Sequence, residues 1–136
     1  MPINTSALAH PKDPDARRQQ RSARKAKADA FRVAVWTRDL AQCRATGVEL
    51  FQSHVSPTQR GNCCHLQSKG AHPERKYDVT NAVLMSEWAH IQSYARGGRV
   101  LRLTDPFDGT PATDASRPIR FTLYNKAGAV VWTRVS

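Results

Sequence analysis

Asn62-Cys63-Cys64-His65-Leu66-Gln67-Ser68 and Thr80-Asn81-Ala82-Val83-Leu84-Met85, followed by Ser86-Glu87-Trp88-Ala89-His90-Ile91, form the stretch whose reading decides the fold. Two short runs are joined by Gly70 to Asp78, a connection rich in turn formers and charge, which predicts a hairpin with a wide basic loop. Ser86, with Glu87 close behind, predicts a helix N-cap. Trp88, Ile91 and Ala95 then share a helix face until Gly97-Gly98 stop it. The order is strand, loop, strand, helix.

Upstream, residues 1–12 contain two prolines and no periodic apolar pattern, which predicts a loose tail with His10 solvated. Asp13-Pro14 is an N-cap followed by proline at the first helical position, and Asp15 suits the positive end of the helix dipole. The helix so begun is rich in Ala, Arg, Lys and Gln and thickens into Phe31, Val33, Val35 and Trp36 before Thr37. Its first half is too polar to bury. Arg17, Arg18, Arg21, Arg24, Lys25 and Lys27 oppose only Asp13, Asp15 and Asp29 there, so this is either a solvated basic face or an arm that contacts phosphate.

Thr37 to Phe51 reads as a helix end, a short strand or knuckle, and a turn at Gly47. Pro57 and Gly61 bound a further loop, with His54 exposed in it. Downstream, Arg99–Thr104 alternates basic and apolar residues, and Arg117–Tyr124 pairs naturally with Val130–Val135 across Asn125-Lys126-Ala127-Gly128. The expectation is an α+β fold: a tail over 1–12, a domain over 13–98, and a small antiparallel sheet over 99–136 that extends or caps it.

The chain has 136 residues and a formal charge of +10, with a pI near 10.3. Such a field favours a polyanionic partner, nucleic acid or an anionic membrane surface. No apolar run approaches the ~20 residues that span a bilayer, and the N-terminus lacks the apolar core of a signal peptide, so a cytoplasmic protein is expected. Three cysteines, two of them adjacent, make a poor disulfide framework. Each is therefore core filler or a metal ligand.

A strand-loop-strand-helix unit brings the end of its first strand close to its helix, so His65, Asn81 and His90 are candidates to converge. Phosphodiester cleavage needs a base to activate water, a cation to stabilise charge on the phosphate, and a group that orients the base. Two imidazoles and an amide can fill those roles.

The span from about Phe31 to Tyr94 resembles the HNH endonuclease family, whose core is a ββα-metal fold. The resemblance rests on Arg38-Asp39 and Cys43-Arg44-Ala45-Thr46-Gly47, on His65, Asn81 and His90 at intervals of 16 and 9 residues, on Lys69, and on the Asn-Ala-Val-Leu-Met run. The tail from Ile119 to Trp132 is similar to strands that follow the core in some phage and bacterial members. The resemblance implies that His65 is the general base, that Asn81 holds the loop and the base, and that His90 binds a divalent ion (Mg²⁺, Mn²⁺, Ni²⁺ or Zn²⁺). DNA is the implied partner, gripped by Lys69, Arg75, Lys76, Arg24 and Lys25, and the cytoplasm is that of a bacterial host if a phage encodes the chain.

Cys64 departs from the His or Asp usual before the base, and is either a second, softer ligand or a small buried residue. Tyr94 stands where a further histidine is found in relatives. Thr46, three residues after Cys43, stands where a zinc knuckle would have its second cysteine, and there is no CxxC near Met85 to Ala89, so no structural zinc knuckle is expected. Cys63, on the opposite face of the strand from Cys64, is assigned to packing. Two other readings stand beside the nuclease: an HNH-like protein that binds DNA or a phage assembly without cutting, and a structural zinc module using Cys43, Cys64 and His90.

Overall fold

The computed structural model describes residues 12–53, 56–94 and 100–136. The expected tail up to residue 11, His54, and the helix stop at Gly97-Gly98 lie outside the described residues.

Helix α1 spans Pro14–Arg38, and Asp13 caps it by accepting from the Asp15 N–H at 3.1 Å. Its N-terminal half is exposed, as its composition predicts, and only Val35 is fully buried. Strand β1, Gly61–His65, pairs antiparallel with β2, Ala82–Ser86, placing Cys64 opposite Val83 and His65 opposite Ala82. Both strands are shorter than the sequence predicts at the loop end. Asn81 closes a single 3-10 turn, Val79–Asn81, which Asp78 caps through the Thr80 N–H, so it precedes the strand instead of opening it.

Helix α2, Glu87–Gln92, begins where predicted, with Ser86 Oγ accepting from the Ala89 N–H at 3.2 Å. Its fully buried residue is Ala89, with Trp88 packed at the core's margin. The helix ends at Gln92, earlier than the glycines suggest, where the Ser93 hydroxyl turns back onto the His90 carbonyl at 2.6 Å. Strands β3 (Val100–Thr104), β4 (Arg120–Tyr124) and β5 (Val130–Val135) form an antiparallel sheet in that order. Among the described residues, one long helix, a short one and two small antiparallel sheets make an α+β fold, the class that the sequence predicts.

All five residues of β2 are buried, so its outer edge needs partners. Among the described residues no third strand supplies them. The Leu84 N–H donates to Asp39 Oδ2 at 2.9 Å, the Leu84 carbonyl accepts from the Arg44 N–H at 3.0 Å, and the Ser86 N–H donates to Cys43 Sγ at 3.3 Å. The segment after α1 thus takes the place of a strand. It reaches that position through Leu40 and Ala41, both left-handed at φ 57° and 55°, a costly conformation that the sequence does not signal.

The C-terminal sheet shares this core. Val35, Leu50, Val83, Leu84 and Met85 form one apolar cluster with Leu101, Ile119, Phe121 and Leu123. The Arg44 guanidinium, nearly buried, donates to the carbonyls of Ala115, Arg117 and Ser136, and lies 3.6 Å from Asp39. Burial lowers its pKa and Asp39 opposes that shift, the balance expected of a cation held by carbonyls and one carboxylate.

Candidate active site

His65 ends β1 with its Nε2 2.8 Å from the Lys76 carbonyl. A carbonyl only accepts, so Nε2 carries the proton and, in the neutral ring, Nδ1 carries the lone pair. The ring lies flat against Phe31 of α1, with centroids 5.6 Å apart and planes 13° apart. Tyr77 meets Phe31 edge-on, with centroids 6.1 Å apart. The end of α1 therefore builds part of the site, a role for Phe31 that sequence reasoning missed. An aromatic residue in the last turns of an amphipathic helix carries no signal separating a core residue from one that orients an imidazole.

Asn81 is fully buried and staples the loop. Its Oδ1 accepts from the Gln67 N–H at 2.8 Å, and its Nδ2 donates to the carbonyls of Gln67 at 2.9 Å and Arg75 at 3.3 Å. Arg75 is next to Lys76, whose carbonyl holds His65. Asn81 thus reaches the base through the backbone of the loop, without a direct contact.

His90, on α2, lines the same cleft of about 690 Å³ as His65, Cys64, Lys69, Met85 and Tyr94. Its Nδ1 is buried without a hydrogen-bond partner among the described residues. Burial lowers the His90 pKa, Glu87 opposes the shift, and the charge on His65 adds to it, which places the two imidazoles within electrostatic reach. Tyr94 meets the His90 ring edge-on at 4.9 Å. A buried ring nitrogen left unsatisfied costs roughly 1–3 kcal/mol, and a bound cation would remove that cost, so His90 fits a metal donor.

Cys64 fits less well. It is buried, its thiol donates to the Asn62 carbonyl at 3.5 Å, and burial drives its pKa far upward, so the thiolate that a metal requires is disfavoured. Cys63 is half-buried beside Trp36 and its thiol is pushed up to about 11, again by burial, in keeping with packing. Cys43 is engaged with Ser86 on the outer edge of β2. Among the described residues no three His, Cys, Asp or Glu side chains are placed to share an ion, which gives a structural zinc module of Cys43, Cys64 and His90 no support.

The basic candidates divide. Lys69 is exposed on the cleft rim. The Lys76 ammonium sits over the Tyr77 ring at 5.2 Å, still exposed, while its backbone holds His65. Arg75 is half-buried, and its guanidinium donates to Asp78 at 3.0 Å, Gln67 at 2.6 Å and Thr80 at 3.0 Å, so its donors brace the loop. Arg24 and Lys25 are exposed on α1, Lys25 pairing with Asp29 at 2.9 Å. His72, beside Pro73, pairs with Glu74 at 3.3 Å.

No protein-family model, curated protein sequence or solved structure matches the chain. Among the described residues, no helix is long and apolar enough to cross a membrane.

Proposed function

We propose that this chain is a metal-dependent endonuclease of the HNH type that hydrolyses DNA phosphodiester bonds. In this reading β1, β2 and α2 are its ββα core. One observation carries it: His65 is fixed by the Lys76 carbonyl and the Phe31 ring, leaving Nδ1 as a base, in a cleft that also contains the unpartnered His90 nitrogen.

His65 Nδ1 takes a proton from water as the water attacks phosphorus, and the Lys76 carbonyl stabilises the imidazolium that results. Asn81 and Arg75 keep that carbonyl in place. Lys69 offers a positive charge to the flanking phosphate. His90 would hold the divalent ion, which when bound supplies Lewis-acid stabilisation of charge on the phosphate and the leaving oxygen. An imidazole donor at His90 would suit Mn²⁺, Ni²⁺ or Zn²⁺ better than Mg²⁺, which prefers oxygen ligands.

The experiment is cleavage of supercoiled plasmid with Mg²⁺, Mn²⁺, Ni²⁺ or Zn²⁺ by the wild type and by His65→Ala. Metal-dependent nicking or linearisation that falls at least ~100-fold in the variant is expected, the scale of a lost general base. Equal cleavage by both proteins would sink the assignment of His65.

A second reading has its own observation. The buried, protonated Cys64 leaves one metal donor among the candidates, which favours an HNH-like protein that binds DNA or a phage assembly without cutting it. Salt-sensitive DNA binding with no cleavage under any of the four ions would select this reading.

A further inference from the structure

We infer that the exposed N-terminal part of α1 is an arm that tracks the phosphates of duplex DNA on the same side of the molecule as His65. The inference rests on the DNA-directed reading above, but not on cleavage.

At about 100° per residue, Arg17, Arg18, Arg21, Arg24, Lys25 and Arg32 fall within an arc of about 120° on α1. A helix covered evenly by charge would only be solvated, whereas here every cation from Arg17 to Arg32 except Lys27 falls in one stripe. The azimuth of the stripe is known from the other end of the helix. Phe31 lies about two turns beyond Arg24, and Val35 about three. Those are the residues that press the helix onto His65 and into the core. The face that packs on the hairpin therefore continues, past the edge of the body, as the basic stripe.

Residues 21–27 are exposed throughout and none of residues 14–27 is fully buried, so burial in the core does not explain this sequence. Its acidic residues are few: Asp15 pairs with Arg18, and Asp29 takes both Lys25 and Arg32. Such exposed pairs are worth little and exchange readily for phosphate. The segment from Pro14 to Ala30 is roughly 25 Å long at ~1.5 Å per residue, the length of about seven base pairs. A rigid stripe of that length matches charges held at fixed spacing on a duplex better than those of a flexible single strand. Its Arg, Lys and Ala composition supplies backbone contacts, which position a protein on DNA without specifying sequence.

The test measures binding in chelator, so that cleavage does not enter. A duplex of about 20 base pairs, long enough for the arm at ~3.4 Å per pair, is titrated from about 50 to 200 mM salt. The proteins are the wild type, the triple variant Arg21→Gln, Arg24→Gln, Lys25→Gln, and a control with the same charge loss on the C-terminal sheet, Arg117→Gln, Arg120→Gln, Lys126→Gln. The arm variant should lower the slope of log affinity against log salt by about 2 to 3, near 0.9 per contact, and the control by less than about 1. Helicity by circular dichroism should be unchanged, since Gln is nearly as good a helix former as Arg or Lys. Equal slope losses in the two variants would overturn the inference, because only net charge would then matter. So would wild-type binding to a single strand or to duplex RNA as tight as to duplex DNA. Loss of cleavage activity with an intact slope difference would reject the nuclease and leave the arm standing.

Discussion

His65 and His90 are the same residue type in opposite states of satisfaction. His65 has a carbonyl on one nitrogen and a ring on its face, while His90 is half-buried with one nitrogen unpartnered. The second state has a consequence for stability. Burial holds the His90 pKa below its ordinary 6.5, outweighing Glu87, so the unfolded chain binds more protons than the folded one as pH falls through that value. The stability this group contributes is present above pH 6.5 and is lost as pH falls toward the folded value. Urea midpoints between about pH 7.5 and 5.5 should fall more steeply for the wild type than for His90→Gln. Parallel profiles would mean that the ring is not held neutral by burial. Asn81 makes a different prediction. Its three hydrogen bonds are buried, so Asn81→Ala strands an N–H and two carbonyls and should cost about 2–4 kcal/mol in urea unfolding. A cost below about 1 kcal/mol would mean that the loop repairs itself with water.

At the level of elements, the contact of α1 with the hairpin depends on a close approach. A Cβ at Gly61 would lie 2.5 Å from the ring tip of Trp36 and 3.2 Å from Leu50, so β1 can meet the helix only through glycine. Gly61→Ala should lower stability by about 1–3 kcal/mol, and because the same interface carries Phe31 against His65, it should also depress the cleavage proposed above. A stable variant with full activity would show that Trp36 can swing aside at no cost. The sequence predicted α1, both hairpin strands and the start of α2 because capping and turn signals are local: Asp13-Pro14, the charged loop and Ser86 act within a few residues. It missed the substitute strand at Asp39 to Cys43, since what pairs with the edge of β2 is a carboxylate, an amide and a sulfur instead of a repeating pattern. It did not show that Arg75 braces the loop, because a basic residue in a polar loop looks the same whether it faces solvent or three internal acceptors.

On the scale of the whole molecule, the C-terminal sheet is joined to the rest by shared core and by Arg44. Phe121 and Ile119 are as buried as Val83, and the guanidinium of Arg44, from the segment after α1, binds the carbonyls of Ala115, Arg117 and Ser136 across the junction. One cooperative transition is therefore expected, in which tryptophan fluorescence and far-ultraviolet circular dichroism change together in urea. Trp36, Trp88 and Trp132 report from α1, α2 and β5, so separate unfolding of the sheet would split the two curves and contradict a common core. By itself, the sequence determined the α+β class, the order of elements, the positive field and the candidates His65, Asn81 and His90, because helix caps, turns and net charge are written in neighbouring residues. Only the tertiary structure decided that Phe31 and the Lys76 carbonyl set the His65 ring, that Cys64 is held as a buried thiol, and that Arg75 braces the loop. Those outcomes depend on burial and on partners distant in the chain, and one residue type serves either role until the fold supplies its neighbours.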